Sequence, residues 1–401
     1  MRVCVFVLFL LFSCSPLVIG QQQPKPKATA SAAEQPGVNV SGDDASAVGA
    51  IPVNTVDFGE GRQILGLPDR GITRFPTLCS SDGEIFVEIM GDVDPSAKVI
   101  AGDLYGISSS GEVTKIQRNF TVSEKRVVSA IWSYPGNDEV ATLLSATVRD
   151  KEDQGQDSKV EYYISLSKRD GTFSRQIKLD LPFEPLKIAV LDSGRFLVLG
   201  IEPLNKQPLL ALLDSDGSYL RQIDLDARPF AASGSLQAIN RGALEHAGAW
   251  EAAAIPAYDA MFVPYGSNVL FFQPESELPV RILNEGGEVN VVRLALPKGQ
   301  LLQFMLPAAK DDTWVVRTEK LADFAAFKKK GISVNPPQQL FEVDPFSGRV
   351  LRELVTEGTV PSNVSCATEK SLTALIYYPK QNAAEQNAIA SSGWRLVSER
   401  R

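Results

Sequence analysis

The sequence predicts an all-β fold: a six-bladed β-propeller closed by an N-terminal strand and carrying short helical insertions. Three observations predict it. One kind of hairpin recurs, at Ile164–Asp180 (ISLSKRDGTFSRQIKLD), Leu209–Asp226 (LLALLDSDGSYLRQIDLD) and Phe341–Val355 (FEVDPFSGRVLRELV). Each sets an apolar run, a Gly-containing turn and a second alternating run, because Gly tolerates the positive φ that tight turns demand. A second kind of hairpin alternates with the first, and the two kinds differ in number by one.

From the N-terminus, Met1–Gly20 reads MRVCVFVLFLLFSCSPLVIG. One Arg precedes an apolar run too short to span a bilayer comfortably, placed as the core of an export signal. Val18-Ile19-Gly20 offers a cleavage site ahead of Gln21, which makes the mature chain soluble. Leu11-Phe12-Ser13-Cys14 offers an alternative, a lipobox that would put a lipid on Cys14, although Phe12 departs from that pattern. Residues 21–50 are rich in Gln, Pro, Ala, Ser and Gly, and read as a flexible linker. From Ile51 to the C-terminus, turn signals and apolar alternation run without another linker, so 51–401 reads as one propeller domain.

Within that domain the first hairpin of each repeat turns at Asp82-Gly83, Pro135-Gly136, Ser193-Gly194, Gly266-Ser267, Asp311-Asp312 and Glu369-Lys370, which makes six. The second turns at Gly111, Gly171, Gly217, Gly287 and Gly348, which makes five. A propeller blade has four strands, so six first hairpins imply six blades. The last blade then has only Trp394–Ser398 as a third strand. Its fourth is expected from Val56–Leu67, where Arg62-Gln63-Ile64 repeats the triplets Arg175-Gln176-Ile177 and Arg221-Gln222-Ile223. Such closure pairs strand edges that an open array would expose.

A basic residue stands four after the turn Gly at Lys115, Arg175, Arg221 and Arg352; Val291 breaks the series. Residues two and six after the Gly are usually apolar, as at Phe173 and Ile177, Tyr219 and Ile223, and Val350 and Leu354, and alternation puts the basic residue on their face. Its stem is expected to pack between blades. Two stretches break the strand pattern. Gly234–Ala254 and Glu319–Lys330 place apolar residues near helical spacing and read as surface insertions. Their aromatics Trp250 and Phe324 are candidates for a binding surface, since aromatic residues are enriched at interfaces.

Candidate chemistry is sparse. The net charge of −8 argues against nucleic acid or anionic lipid as a main partner. The one histidine, His246, cannot build a His-rich zinc site. Asp150–Ser158 (DKEDQGQDS) lacks the spacing and closing Glu of a calcium hand and reads as a solvated turn. Asp103, Asp192, Asp311 and Asp312 are candidates for a ring mouth that sequence cannot assemble. No catalytic, cofactor-binding or metal-ligating residue is assigned. After export Cys79 and Cys366 remain, at equivalent places in the first and last repeats. They form either one disulfide or two buried thiols, because neighbouring blades need not bring Cα atoms within about 7 Å.

The alternating hairpins, the D-x-x-G-type turn and the R-x-[IL] outer strand resemble the six-bladed propellers of the NHL-like and TolB-like group. The resemblance implies architecture. Such propellers include binding scaffolds, lactonases and cyclases, so fold alone does not select a function. The first expectation is a monomeric, exported, non-enzymatic module, periplasmic or extracellular, binding a protein, peptide or glycan on one rim. The alternatives are a lactonase-like hydrolase with a calcium ion in the channel, which the resemblance implies for some members, and a structural component of the cell envelope.

Overall fold

The computed structural model describes residues 51–56, 61–68, 72–73, 77–80, 82–90, 98–122, 126–148, 160–204, 207–225, 260–274, 276, 278–307, 313–320, 338–356, 364–368, 371–378 and 393–400. They form six sheets, each built on antiparallel strands, arranged as the blades of a propeller. Among the described residues there is no helix. Cys14, Trp250, Phe324, His246, Asp150–Ser158 and nearly all of both expected helical insertions lie outside the described residues. Of the second insertion only Glu319 and Lys320 are described, and they belong to a strand, Trp314–Lys320.

Blade 1 splits its inner strand into Ile72–Thr73 and Leu78–Cys79, then continues through Ile85–Met90, Asp103–Ile107 and Val113–Ile116. Blade 2 comprises Arg126–Pro135, Glu139–Val148, Glu161–Lys168 and Phe173–Leu179. Blade 3 comprises Glu184–Val190, Phe196–Ile201, Pro208–Leu213 and Tyr219–Ile223. Blade 4 comprises Met261–Tyr265, Asn268–Phe272, Val280–Leu283 and Val289–Val292. Blade 5 comprises Gln300–Pro307, Trp314–Lys320, Gln338–Val343 and Val350–Thr356. Blade 6 comprises Val364–Ala367, Ser371–Tyr378 and Gly393–Arg400, and its fourth strand is Arg62–Gln63. The innermost strands contact one another in sequence, and that of blade 6 contacts that of blade 1. Faces buried on both sides explain the near-continuous apolar runs, such as Phe196–Ile201, which is buried along its whole length.

In blade 3 both kinds of turn share one hydrogen-bond pattern. In the outer turn of blade 3, Gly217 N donates to Asp214 O (2.9 Å), and Asp214 N donates to Ser218 O (2.8 Å). In the inner turn of that blade, Gly194 N donates to Leu191 O and Leu191 N to Arg195 O, both at 2.9 Å. This is a type I turn closed by a residue with positive φ. In the outer turns that glycine does a second job. A Cβ on Gly217 would lie 2.8 Å from Ile177, one on Gly287 2.9 Å from Arg221, and one on Gly111 2.9 Å from Ile64. Each outer turn therefore seats against the fourth strand of the preceding blade.

The fourth strands correct one expectation. In blades 2, 3 and 5 the pairing with the third strand slips by one residue just after the turn. Phe173 faces Ser167, and Arg175 faces Leu166, so Ser174 is the unpaired residue of a bulge. The bulge reverses alternation. Arg175 and Ile177 share a face, but Phe173 points the other way and is 38% exposed. The basic residue reaches the next blade at some positions and stays within its own at others, where Lys115 pairs with Asp103 in blade 1 and Arg352 with Glu342 in blade 5. Arg221 donates to Gly286 O (2.6 Å) in the outer turn of blade 4. Arg62, at the matching place in blade 6, donates to Ser110 O in the outer turn of blade 1.

Where blade 6 meets blade 1, several contacts converge. Arg62 and Gln63 pair with Leu396 and Arg395, and Ile64 N donates to Trp394 O (2.8 Å). Ile64, Ile85, Val87, Ile107, Leu375 and Trp394 form a buried cluster drawn from both blades. Inside it Cys79 and Cys366 form a disulfide, their Cα atoms 5.2 Å apart. Upstream, Val53–Val56 runs parallel to Val350–Thr356 and adds a fifth strand to blade 5, a pairing the sequence did not announce.

Candidate functional site: the mouth formed by the inner turns

In an antiparallel blade the turns after strands one and three lie at the same end. That end therefore gathers polar turn residues from every blade around the axis. Among the described residues they form a linked belt. Arg169, in the outer turn of blade 2, reaches the inner turn of blade 1. It donates to Ser80 Oγ (3.1 Å), Asp82 Oδ1 (2.8 Å) and the Glu84 carboxylate. Its guanidinium also lies 5.6 Å from the Phe86 ring centre and donates to Asn137 O (3.2 Å). Asn137, in the inner turn of blade 2, donates through Nδ2 to both oxygens of Asp192 (2.8 and 3.0 Å). The same Nδ2 lies 3.1 Å from Gly266 O in blade 4. Glu285, in the outer turn of blade 4, accepts from Ser193 N (3.0 Å) in blade 3.

Two carboxylates in this belt titrate in opposite directions. Burial disfavours the charged form of Asp82, but hydrogen bonds from Arg169 and Ser80 and the guanidinium charge outweigh it, so its pKa falls below the usual value. Asp192 goes up. Burial is the largest cause, and the charges of Glu285 and Asp138 add to it against the hydrogen bond from Asn137. Beside Asp192 lies a cavity of about 350 Å³, whose lining includes Asn137, Asp138, Lys168 and Asp192 and the apolar Val190 and Leu191. That volume lies at the small end of the range for ligand sites.

Deeper in, the polar groups are locked. Lys187, on the innermost strand of blade 3, donates to Ala260 O and holds its ammonium 4.6 Å from the Trp132 ring centre. Glu88 and Arg118 form an ion pair at 2.7 Å, almost wholly buried, and Gly102 N donates to the same carboxylate (2.9 Å). Pairing and hydrogen bonds offset the cost of burying these charges.

Of the four aspartates expected near a mouth, the structure places Asp192 there. Asp103 lies elsewhere, on the third strand of blade 1, paired with Lys115 at 2.9 Å. Asp311 and Asp312 lie outside the described residues. Among the described residues no group of three or more His, Cys, Asp or Glu side chains could hold a metal ion, and no helix is long and apolar enough to cross a membrane. Asn137 and Arg169 went unnoticed in the sequence. They carry no motif, and only their place next to turns links them.

No family model matches the chain, and no curated protein matches it. Solved structures resemble it weakly. An N11 neuraminidase-like protein of A/flat-faced bat/Peru/033/2010 (H18N11) shares 11% identity at a TM-score of 0.37, covering 87% of this chain and 94% of that one. A TolB-type protein from Agrobacterium tumefaciens shares 13% identity at a TM-score of 0.34, covering 81% and 89%. The α-L-arabinofuranosidase Arb93A from Fusarium graminearum shares 9% identity at 0.37, covering 85% and 97%. Likenesses at this level carry no argument about activity. The architecture rests on the six sheets themselves, and the chain is a six-bladed β-propeller of the kind its likeness to the NHL-like and TolB-like group implies.

Proposed function

We propose that this chain is an exported, non-enzymatic propeller that binds a protein, peptide or glycan at the mouth formed by its inner turns. The observation that carries the reading is the cavity beside Asp192, walled by the inner turns of two blades and braced by the Asn137–Asp192 bond. A concave site with apolar lining and a few convergent polar groups is where small ligands and side chains of partners dock. Turns on a rigid scaffold are free to vary, which suits recognition. A disulfide between blades 1 and 6 supports export into an oxidising compartment.

The test is binding of the full chain to peptide and glycan arrays, followed by the same arrays with Asn137→Ala. The reading expects at least one ligand whose signal drops about tenfold in the variant. Esterase or lactonase turnover abolished by a chelator and restored by calcium would overturn it in favour of a hydrolase.

A further inference from the structure

The outer edge of blade 4 differs from those of the other blades. The fourth strands of blades 6, 1, 2, 3 and 5 carry Arg62, Lys115, Arg175, Arg221 and Arg352 at one matching position, and blade 4 has Val291 there. The fourth strands of blades 2, 3 and 5 also carry the bulge that follows the turn. Blade 4 has no bulge. Val289–Val292 pairs with Val280–Leu283 in unbroken register, from Val289 opposite Leu283 to Val292 opposite Val280. Charges and bulges are devices that keep an outer strand from pairing with another chain. Blade 5 adds a further device, the covering strand Val53–Val56. Among the described residues Val289–Val292 has none of the three. It pairs on one side only, and Val291 is 51% exposed. Val53–Val56 shows that the outermost strand of a blade in this chain accepts another strand.

The charges that flank this strand set what fits it. Glu288 precedes it and Arg293 follows it, both exposed, with only Val and Asn between them. An antiparallel copy of the same strand brings the acidic end of each against the basic end of the other. A parallel copy in register sets like charges side by side, which is unfavourable. From the uncharged, unbulged edge and its charge-complementary ends, we propose that two copies of this chain pair along Val289–Val292 as antiparallel strands. A two-fold axis normal to the sheet keeps every residue on its own face, so it passes beside a residue, Asn290 or Val291. In either register Glu288 comes within one residue of Arg293 of the other copy. The contact is the same on both sides and closes on itself, so it gives a dimer and not a fibre. The ladder is short, because beyond it Ala295 N already donates to Gly348 O (2.8 Å) in blade 5. So small a contact gives a weak dimer that forms as concentration rises. This edge is separate from the cavity at the mouth, and the proposal does not depend on the binding reading above.

Sedimentation equilibrium of the full chain over a wide range of concentration tests it. The average mass should rise from that of one chain toward that of two. Val291→Lys restores the kind of charge found at Lys115, sets like charges near the axis, and should weaken association about tenfold or more. Glu288→Lys and Arg293→Glu should each weaken it, because each puts like charges at both ends of the pair. The two substitutions together should restore it. Recovery in the double variant is a signature of antiparallel pairing between copies that a folding defect would not give, and an unchanged melting curve for Val291→Lys separates its loss from misfolding. A chain that stays monomeric at every concentration overturns the proposal. So does a dimer that Val291→Lys leaves intact, or a double variant that fails to recover association.

Discussion

Replacing Gly171 by Ala tests whether outer-turn glycines are needed for the turn alone or also for the join between blades. The control is Gly266→Ala, at an inner turn. Both glycines have positive φ, +90° and +57°. A side chain there costs about 1–2 kcal/mol in either case, from the clash of Cβ with the neighbouring carbonyl. The surroundings differ. A Cβ on Gly266 meets nothing within 4 Å. A Cβ on Gly171 would stand 2.5 Å from Lys115 O and 3.0 Å from Thr114 Cγ2, on the fourth strand of blade 1. The nearer atom is backbone and cannot rotate away, so the turn must lift. Overpacking of this kind costs about 1–3 kcal/mol. Lifting the turn also strains the bond from Gln117 N to Gly171 O (2.8 Å), worth about 1 kcal/mol. Urea unfolding should therefore place Gly266→Ala about 1–2 kcal/mol below the parent, and Gly171→Ala about 3–6 kcal/mol below it. Equal losses within about 0.5 kcal/mol would refute the claim that turn glycines set the spacing between blades.

Other expectations follow from the same structure. Cys79 and Cys366 close a loop with a sequence separation of 287 residues, so Cys79→Ser with Cys366→Ser should cost about 2–5 kcal/mol, read by urea unfolding under non-reducing conditions. Deleting residues through Gly66 removes both N-terminal strands and should cost far more than deleting 1–50; equal melting temperatures for the two truncations would count against the role of Arg62–Gln63. The raised pKa of Asp192 means that the folded state binds its proton more tightly, so this group lowers stability as pH rises from the unfolded value of 3.8 through the higher folded one. Asp192→Asn should thus gain stability relative to the parent between acid and neutral pH. Asp82, with its pKa lowered, gives the opposite sign: its contribution is present above 3.8 and is lost as pH falls through the folded value, so Asp82→Asn should lose stability at neutral pH. Comparing unfolding midpoints in acid and at pH 7 checks both signs.

The blades were legible in the sequence because their signals are local. A turn needs positive φ within a few residues, so Gly171, Gly217 and Gly348 announce hairpins. Inward faces need apolar side chains, so Phe196–Ile201 announces a strand. The repeated triplet at Arg62-Gln63-Ile64 worked over a longer range because the fourth strands of blades 3 and 6 meet the same neighbour, the outer turn of the next blade. The bulge at Ser174 was not legible, since one extra residue in a strand leaves composition unchanged while it inverts the face of Phe173. Nor was the mouth. Asp82, Asn137, Arg169, Asp192 and Glu285 come from four blades, and only ring geometry brings them together. A turn-forming Asp such as Asp170, whose carboxylate accepts from Thr172 N (2.9 Å), looks the same in sequence as Asp192, which bonds across blades.

The odd count of turns leads to one more physical step. Outer turns of blades 1 to 5 each seat on the fourth strand of the blade before, so the outer turn of blade 6 would seat on Val350–Thr356 of blade 5. That turn does not exist, because the third strand of blade 6 is Gly393–Arg400 and its fourth is Arg62–Gln63, from the other end of the domain. The fourth strand of blade 5 would therefore lack the contact that its five counterparts in blades 1 to 4 and blade 6 have. Val53–Val56 lies along it instead, in parallel register from Val53 opposite Glu353 to Val56 opposite Thr356, and Glu353 N donates to Pro52 O (2.9 Å). A paired strand satisfies backbone groups that an exposed edge offers to other chains. The buried Val56 side chain joins the main core, while Val53 stays 63% exposed. The segment that supplies the fourth strand of blade 6 thus first covers the strand of blade 5 that the missing turn leaves bare. Substituting Val56 by Asp should loosen blade 5 and blade 6 together, whereas Val53→Asp should leave both intact.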